Sequence, residues 1–222
     1  MVVRGSGMKI KEPVNAYTHL AGGIAALPAV AYLICQAVLY AGVWHVVSFS
    51  IYGASLIGLY LASGMYHMLT VSDKTEMRLK KLDHMMIFLL IAGTYTPLCL
   101  IPLRGPWGWA LFGIIWGAAL GGILLKLFWI GAPRWLSTAF YIVMGWMCVI
   151  AIYPLIQKLP VGALSLLLGG GVLYTVGGII YGTKRFPLHI RHLGFHEIFH
   201  IFVLGGSVCH YSMMVLYLLP MR

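Results

Sequence analysis

Charge is what this chain has least of. Only 9% of its 222 residues are Asp, Glu, Lys or Arg, while 61% are hydrophobic, a balance that excludes a soluble domain of this size. Cysteine is scarce as well. Cys35, Cys99, Cys148 and Cys209 all fall inside apolar runs with no paired spacing, which argues against a disulfide framework or a thiolate metal site and for buried, unreactive thiols. No soluble-type repeat, linker or low-complexity stretch interrupts the chain, and no room is left for a soluble domain.

What is abundant is apolar sequence in lengths of about 20 residues, the span of a bilayer-crossing helix. Seven such stretches are predicted near 17–40, 45–69, 84–103, 107–127, 135–157, 161–182 and 194–219. The fold class that follows is an all-α integral membrane protein, one seven-helix transmembrane bundle over residues 1–222. The first run is longer than that of a signal peptide and has no clear small-residue cleavage site, so it is expected to be a retained helix.

The formal net charge of +10 does not form a patch of the kind that binds nucleic acid; the basic residues lie between the apolar runs and read as topology. Arg4, Lys9, Lys11, Lys74, Arg78, Lys80, Lys81, Lys126, Arg134, Lys184, Arg185 and Arg191 fall on one side, against Arg104, Lys158 and Arg222 on the other. The positive-inside rule then puts the amino terminus in the cytoplasm and the carboxyl terminus outside. Gly113, Gly117 and Gly121, four apart in the fourth run, predict close helix packing, within the bundle or in a homo-oligomer. The glycines of the sixth, among them Gly169, Gly170, Gly171, Gly177, Gly178 and Gly182, are read in the same way, with a substrate portal between glycine faces as the alternative. Pro97 frees a carbonyl in the third run that Thr94 or Thr96 is placed to help satisfy.

Ionisable residues inside membrane helices are costly and face a bundle interior or a cavity by default. Here three segments far apart in sequence deliver them to one depth: "SGMYH" carries Ser63 and His67, "DHMMIF" carries Asp83 and His84, and "FHEIFH" carries His196, Glu197 and His200. Residues four apart stand about 40° apart around a helix and about 6 Å along it, so His196 and His200 can ligate one ion from one face. Three imidazoles plus water form a catalytic zinc arrangement, with Asp83 as the group acting on that water. The competing reading for any one histidine is a packed or interfacial side chain. It is preferred for His19, His45, His189 and His192, and an interhelical hydrogen bond is expected for His210. His84 adjoins Asp83 but points about 100° away from it.

"HEIFH" also matches the H-E-x-x-H pattern in which two histidines bind zinc and the glutamate handles the proton of water. A third histidine and an aspartate at the right depth leave Glu197 unnecessary as a base. It stands off the shared histidine face, and a contact with Lys or Arg at the cytoplasmic surface is expected for it.

The set "SGMYH", "LDHMMIFLLIAGTYTP" and "HEIFHIFVLGGSVCH", in this order on seven spans, resembles the hemolysin III branch of the progestin and adiponectin receptor family and the wider superfamily that includes alkaline ceramidases. The likeness extends from "NAYTHLAGG" onward. It implies Zn2+ held by His67, His196 and His200, with Asp83 holding the water and Ser63 lining the site. Chemistry of that kind would be hydrolysis of a lipid amide or ester at the cytoplasmic leaflet, the partner being a membrane lipid. The alternatives are a cytolytic or pore-forming protein or a regulator of membrane lipid state, with zinc structural, and less favoured an intramembrane protease. The short segment before the first helix, set beside the long amino-terminal domains of metazoan receptors, argues against hormone reception and for a bacterial protein.

Overall fold

A computed structural model describes residues 10–185 and 193–221; the expectations for Arg4, Lys9, His189, Arg191, His192 and Arg222 lie outside them. The described elements are all helical: α1 (Pro13–Tyr40), α2 (Val43–Met68), α3 (Asp73–Leu100), α4 (Pro106–Phe128), α5 (Arg134–Gly145), a 3-10 segment (Trp146–Ala151), α6 (Ile152–Lys158), α7 (Val161–Thr183) and α8 (Phe195–Met213), which runs on into a π-helical turn (Met214–Leu218). With α5 to α6 counted as one span and the π turn joined to α8, seven helices are long and apolar enough to cross a membrane. Large apolar side chains such as Val38, Leu39, Leu120 and Val208 stay exposed on the outside, as a lipid-facing surface requires. Tyr40, Trp107 and Tyr153 are exposed toward one end of the bundle, and Phe128, Trp129 and Trp135 toward the other, two aromatic belts at the levels where a bilayer meets water.

Each span packs on its neighbour in sequence, and α8 closes the ring against α1. The ends of α2, α4 and α7 and the starts of α1, α3, α5 and α8 therefore share one face of the bundle, and that face carries the histidines.

Most spans match their predicted bounds to about a turn, and two depart from the prediction in a larger way. The third was predicted to begin at residue 84, because the apolar run starts there, yet α3 begins at Asp73, about three turns earlier. Its first turn holds Asp73 and Glu76, which favour the positive end of the helix dipole, and the charged residues that follow are good helix formers. Asp83 consequently lies within a helix and is buried. The fifth was predicted as one helix. Instead the Tyr95 hydroxyl of α3 donates to the Gly145 carbonyl at 2.6 Å and accepts from the Cys148 amide at 2.8 Å; this intrusion into the ladder accompanies the 3-10 segment.

Packing also refines several finer expectations. Of the two alternatives for Gly113, Gly117 and Gly121, packing within the bundle is not found: they are exposed, and a methyl group at any of them would meet nothing within 4 Å of the chain. The buried face of α4 is Gly108, Leu111, Ile115, Ala119 and Gly122 instead, one helical stripe over. The glycines of α7 do pack in part: a Cβ on Gly170 would stand 2.4 Å from His210 Nε2. Thr94 and Thr96 donate to the carbonyls of Leu90 and Ala92, not to the carbonyl freed by Pro97. Of the four thiols, Cys99 and Cys148 are buried as expected, whereas Cys35 is exposed and Cys209 half-buried, both on helix positions that carry no penalty for an uncharged thiol in lipid.

Candidate metal centre

The last turn of α2 and the first two turns of α8 meet at the histidine-bearing end of the bundle. His67 and His200 are buried and His196 half-buried, and one ring nitrogen from each can be chosen so that all three lie within 4.8 Å of one another. The ring centroids form a nearly equilateral triangle, with 4.9 Å from His67 to His196, 5.0 Å from His67 to His200 and 4.8 Å from His196 to His200. The i,i+4 spacing on α8 and the end-to-end approach of α2 thus bring the three predicted ligands together.

The surroundings of His67 fit a metal ligand. Its Nδ1 donates to Glu12 Oε2 at 2.6 Å, which places the proton on Nδ1 and leaves a lone pair on Nε2. That Nε2 is buried and has no hydrogen-bond partner, a state that costs on the order of 1–3 kcal/mol unless something electron-poor occupies it. A carboxylate behind a ligating imidazole is the arrangement that fixes ring orientation and raises ligand basicity. The His200 ring is held from the same side, its Nδ1 lying 3.4 Å from Thr18 Oγ1. Three neutral imidazoles with one open position suit a zinc-type ion that keeps a reactive site.

Glu12 is itself fixed by the chain that leads into α1. Its amide donates to the His67 carbonyl at 2.9 Å and the Lys11 amide to the Met68 carbonyl at 3.3 Å, so two backbone bonds strap this segment to the end of α2. Lys11 Nζ bonds Glu76 at 3.1 Å and sits 3.8 Å from the centre of the Tyr66 ring. Burial opposes ionisation of Glu12, but the bond from the Asn15 amide and the nearby His67 outweigh it, and the carboxyl lies below its ordinary range. Asn15 Nδ2 donates both to Glu12 Oε2 at 3.0 Å and to Glu197 Oε1 at 3.4 Å. Among the described residues Glu197 is therefore tied to Asn15 and not to the Lys or Arg expected for it. The start of α1, which carries Asn15, lies beside the first turn of α8.

Asp83 and Ser63 line a cavity of about 130 Å³ together with His196 and His200, and Ser63 is the hydrogen-bonding neighbour of the Asp83 carboxyl. From this polar end the cavity runs between α3, α5, α7 and α8, past Ile87, Ile91 and Val203, to Tyr95, Trp146 and His210. Twelve residues of α3 separate Asp83 from Tyr95, about 18 Å of helix, so the cavity is long, narrow and apolar beyond its mouth. His210 closes it with the expected interhelical bond, Nε2 to the Leu167 carbonyl at 3.2 Å. Glu197 lines neither this cavity nor the wider polar one beside it.

Two participants escaped sequence reasoning. Glu12 was not singled out, and His19 was assigned to packing. His19 is buried and does pack, stacked on His200 with centroids 3.5 Å apart and planes 10° from parallel, but both its ring nitrogens are buried without partners and it borders the cavity. Glu12, Asn15 and His19 stand at i, i+3 and i+7 across the start of α1, one helical face, and that spacing was the available signal. His84 does not turn clear of Asp83 as expected: it lines both cavities with it, its Nδ1 donating to the Lys80 carbonyl at 2.9 Å and its Nε2 lying 3.4 Å from the Tyr181 hydroxyl. His45 pairs its Nε2 with the Leu218 carbonyl at 3.1 Å, remote from the cluster.

Comparison with known proteins adds sequence kinship to this geometry. Residues 8–211 match the family described as haemolysin-III related. A hemolysin-3 homolog of Bacillus subtilis (strain 168) is 44% identical over 209 residues, covering 94% of this chain and 95% of the relative. Hemolysin-3 of Bacillus cereus is 44% identical over 212 residues, 95% and 94% of the two chains. The human monocyte to macrophage differentiation factor is 24% identical over 206 residues, 90% of this chain and 82% of its own.

Proposed function

The chain belongs to the haemolysin-III related family, as a multi-pass integral membrane protein, and from that premise we propose that it is a zinc-dependent hydrolase of a lipid amide or ester, working at the cytoplasmic leaflet of the cell membrane. The observation that carries the reading is the joint placement of three convergent imidazoles, one with an orphaned buried Nε2, and a buried carboxyl at the mouth of an apolar cavity.

His67, His196 and His200 would hold the ion, with Glu12 and Thr18 fixing two of the rings from behind. A zinc ion there supplies Lewis acidity and makes water nucleophilic near neutral pH. The remaining work falls to the protein. Asp83, at the same cavity mouth, accepts the proton of the attacking water and returns it to the leaving amine or alcohol. Ser63 donates its single O–H to the Asp83 carboxyl and so orients it toward the cavity mouth. The apolar walls from Ile87 to Val203 hold an acyl chain with its carbonyl end toward the histidines, and their narrowness limits water to the mouth. Glu197, bonded to Asn15 and outside both cavities, has no part in this chemistry, which argues against the protease reading.

Lipid hydrolysis is tested by reconstituting the protein with acyl amides and acyl esters and comparing wild type with Asp83→Asn. Turnover by the wild type, with at least a hundredfold loss in a variant that keeps its metal, agrees with general-base losses of about 10²–10⁴. Equal turnover in both, or loss of the ion from the variant, would show that Asp83 does something else.

The name hemolysin-3, carried by the Bacillus relatives, favours a second reading, cytolysis through an assembled pore. A conductance in protein-containing liposomes that survives loss of all three histidines would support it. The apolar lining of the long cavity argues against a conduit through one subunit.

A further inference from the structure

Beside the apolar cavity lies a second one, of about 410 Å³, whose wall includes Lys80, Lys126, Arg134, Ser137, His67 and Asp83. Its most telling member is Lys126. This side chain is only 2% exposed, and its Nζ donates to the Ser137 hydroxyl; among the described residues no carboxylate forms an ion pair with it. A buried ammonium on a membrane helix is disfavoured unless its donors find partners, and one neutral hydroxyl satisfies one of its three donors.

Position does not account for it. Lys126 stands in the last turn of α4, where a basic residue ordinarily reaches the terminal carbonyls, but that role is taken by Lys81, whose Nζ donates to the Leu127 carbonyl at 2.7 Å. Nor does Lys126 snorkel to the surface, since it is buried. Lys80 adds a second positive charge within electrostatic reach of it. Arg134, exposed at the first turn of α5, brings a third, its guanidinium 5.6 Å from the centres of the Tyr181 and Phe195 rings. The acids on the same wall are otherwise engaged: Glu12 with His67 and Asn15, Asp83 with Ser63. Asp83 and His196 border both cavities.

We propose that Lys126, Arg134 and Lys80, with Ser137, form a binding site for a phosphate group carried by the lipid, so that the headgroup occupies the polar cavity while an acyl chain enters the apolar one. The inference rests on the hydrolase reading for its consequence, a substrate drawn from phosphate-bearing acyl lipids and not from neutral ones, but the binding it asserts needs no turnover. Arg134 supplies a planar fork for phosphate oxygens and the two lysines point charges. The linkage between headgroup and chain then falls beside Asp83 and His196.

The test is binding to purified full-length protein in neutral detergent, before and after chelator treatment, with dioctanoyl phosphatidic acid, dioctanoylglycerol and inorganic phosphate as probes. Phosphatidic acid should bind at least tenfold more tightly than the diglyceride, and Lys126→Gln and Arg134→Gln should each weaken it by about tenfold, while Lys126→Arg retains it. Binding should survive chelation, which separates failure of this site from failure of the metal reading. Inorganic phosphate binding as tightly as the lipid would keep the anion site but assign it to the free ion. Equal binding of phosphatidic acid and diglyceride would overturn the proposal. So would unchanged affinity in Arg134→Gln, whose exposed position leaves folding intact should Lys126→Gln unfold.

Discussion

At the scale of single residues the centre depends on side chains that touch no substrate. Glu12 is the plainest case: it holds His67 Nδ1 at 2.6 Å and so decides which nitrogen of that ring faces the cluster. Glu12→Gln keeps the shape and removes the charge, and loss of the carboxylate behind a ligating imidazole costs about 10- to 100-fold in metal affinity. Competition against a chromogenic chelator should show a loss in that range with no change in the folded fraction; unchanged affinity would mean that Glu12 only straps the segment before α1 to α2. The pairing of His196 with His200 was legible in the sequence because i,i+4 spacing on an apolar helix is a strong local pattern. Glu12 was not, because it precedes the first apolar run and its partner lies 55 residues away. His19 was misjudged in emphasis: a single histidine on an apolar helix face says nothing about the ring stacked upon it.

Among the elements, α4 and α7 show that glycine spacing alone does not say which face packs within the chain. Three glycines four apart in α4 face outward with open space around them, while Gly170 of α7 lies under the His210 ring. Gly170→Ala should therefore destabilise the bundle by about 1–3 kcal/mol through overpacking, and Gly117→Ala should change stability by less than about 0.5 kcal/mol. Unfolding in mixed micelles titrated with a denaturing detergent measures both, and equal sensitivity at the two positions would contradict the packing described here. Spans were readable from hydropathy because bilayer thickness fixes their length. The early start of α3 was not, since an apolar-run criterion stops at "KTEMRLKKLD" although those residues favour helix. The break in the fifth span was equally hidden: its cause is Tyr95, a residue of another helix.

For the whole molecule, a bound ion would tie α2 to α8, elements joined through the closing contacts of the ring and otherwise separated by most of the chain. Removal of metal should lower stability accordingly, by about 2.7 kcal/mol where free metal had stood a hundredfold above its Kd, seen as a fall in Tm that restoring zinc reverses. The number of spans and the shared end of the bundle at which the polar residues meet were both available from the sequence, since apolar length and the cost of charge within it are one-dimensional signals. The division of the interior into an apolar cavity and a cationic one was not, because Lys126, Arg134 and Lys80 come from three helices and read in sequence only as topogenic charge.

The central claim is that His67, His196 and His200 hold a zinc ion. It is tested most directly by elemental analysis of protein extracted without chelator, comparing wild type with the His196→Ala/His200→Ala double variant. The account requires close to one zinc per wild-type chain and little in the variant. Folded wild-type protein that carries no zinc and takes none up, or a variant that retains it in full, would contradict the claim.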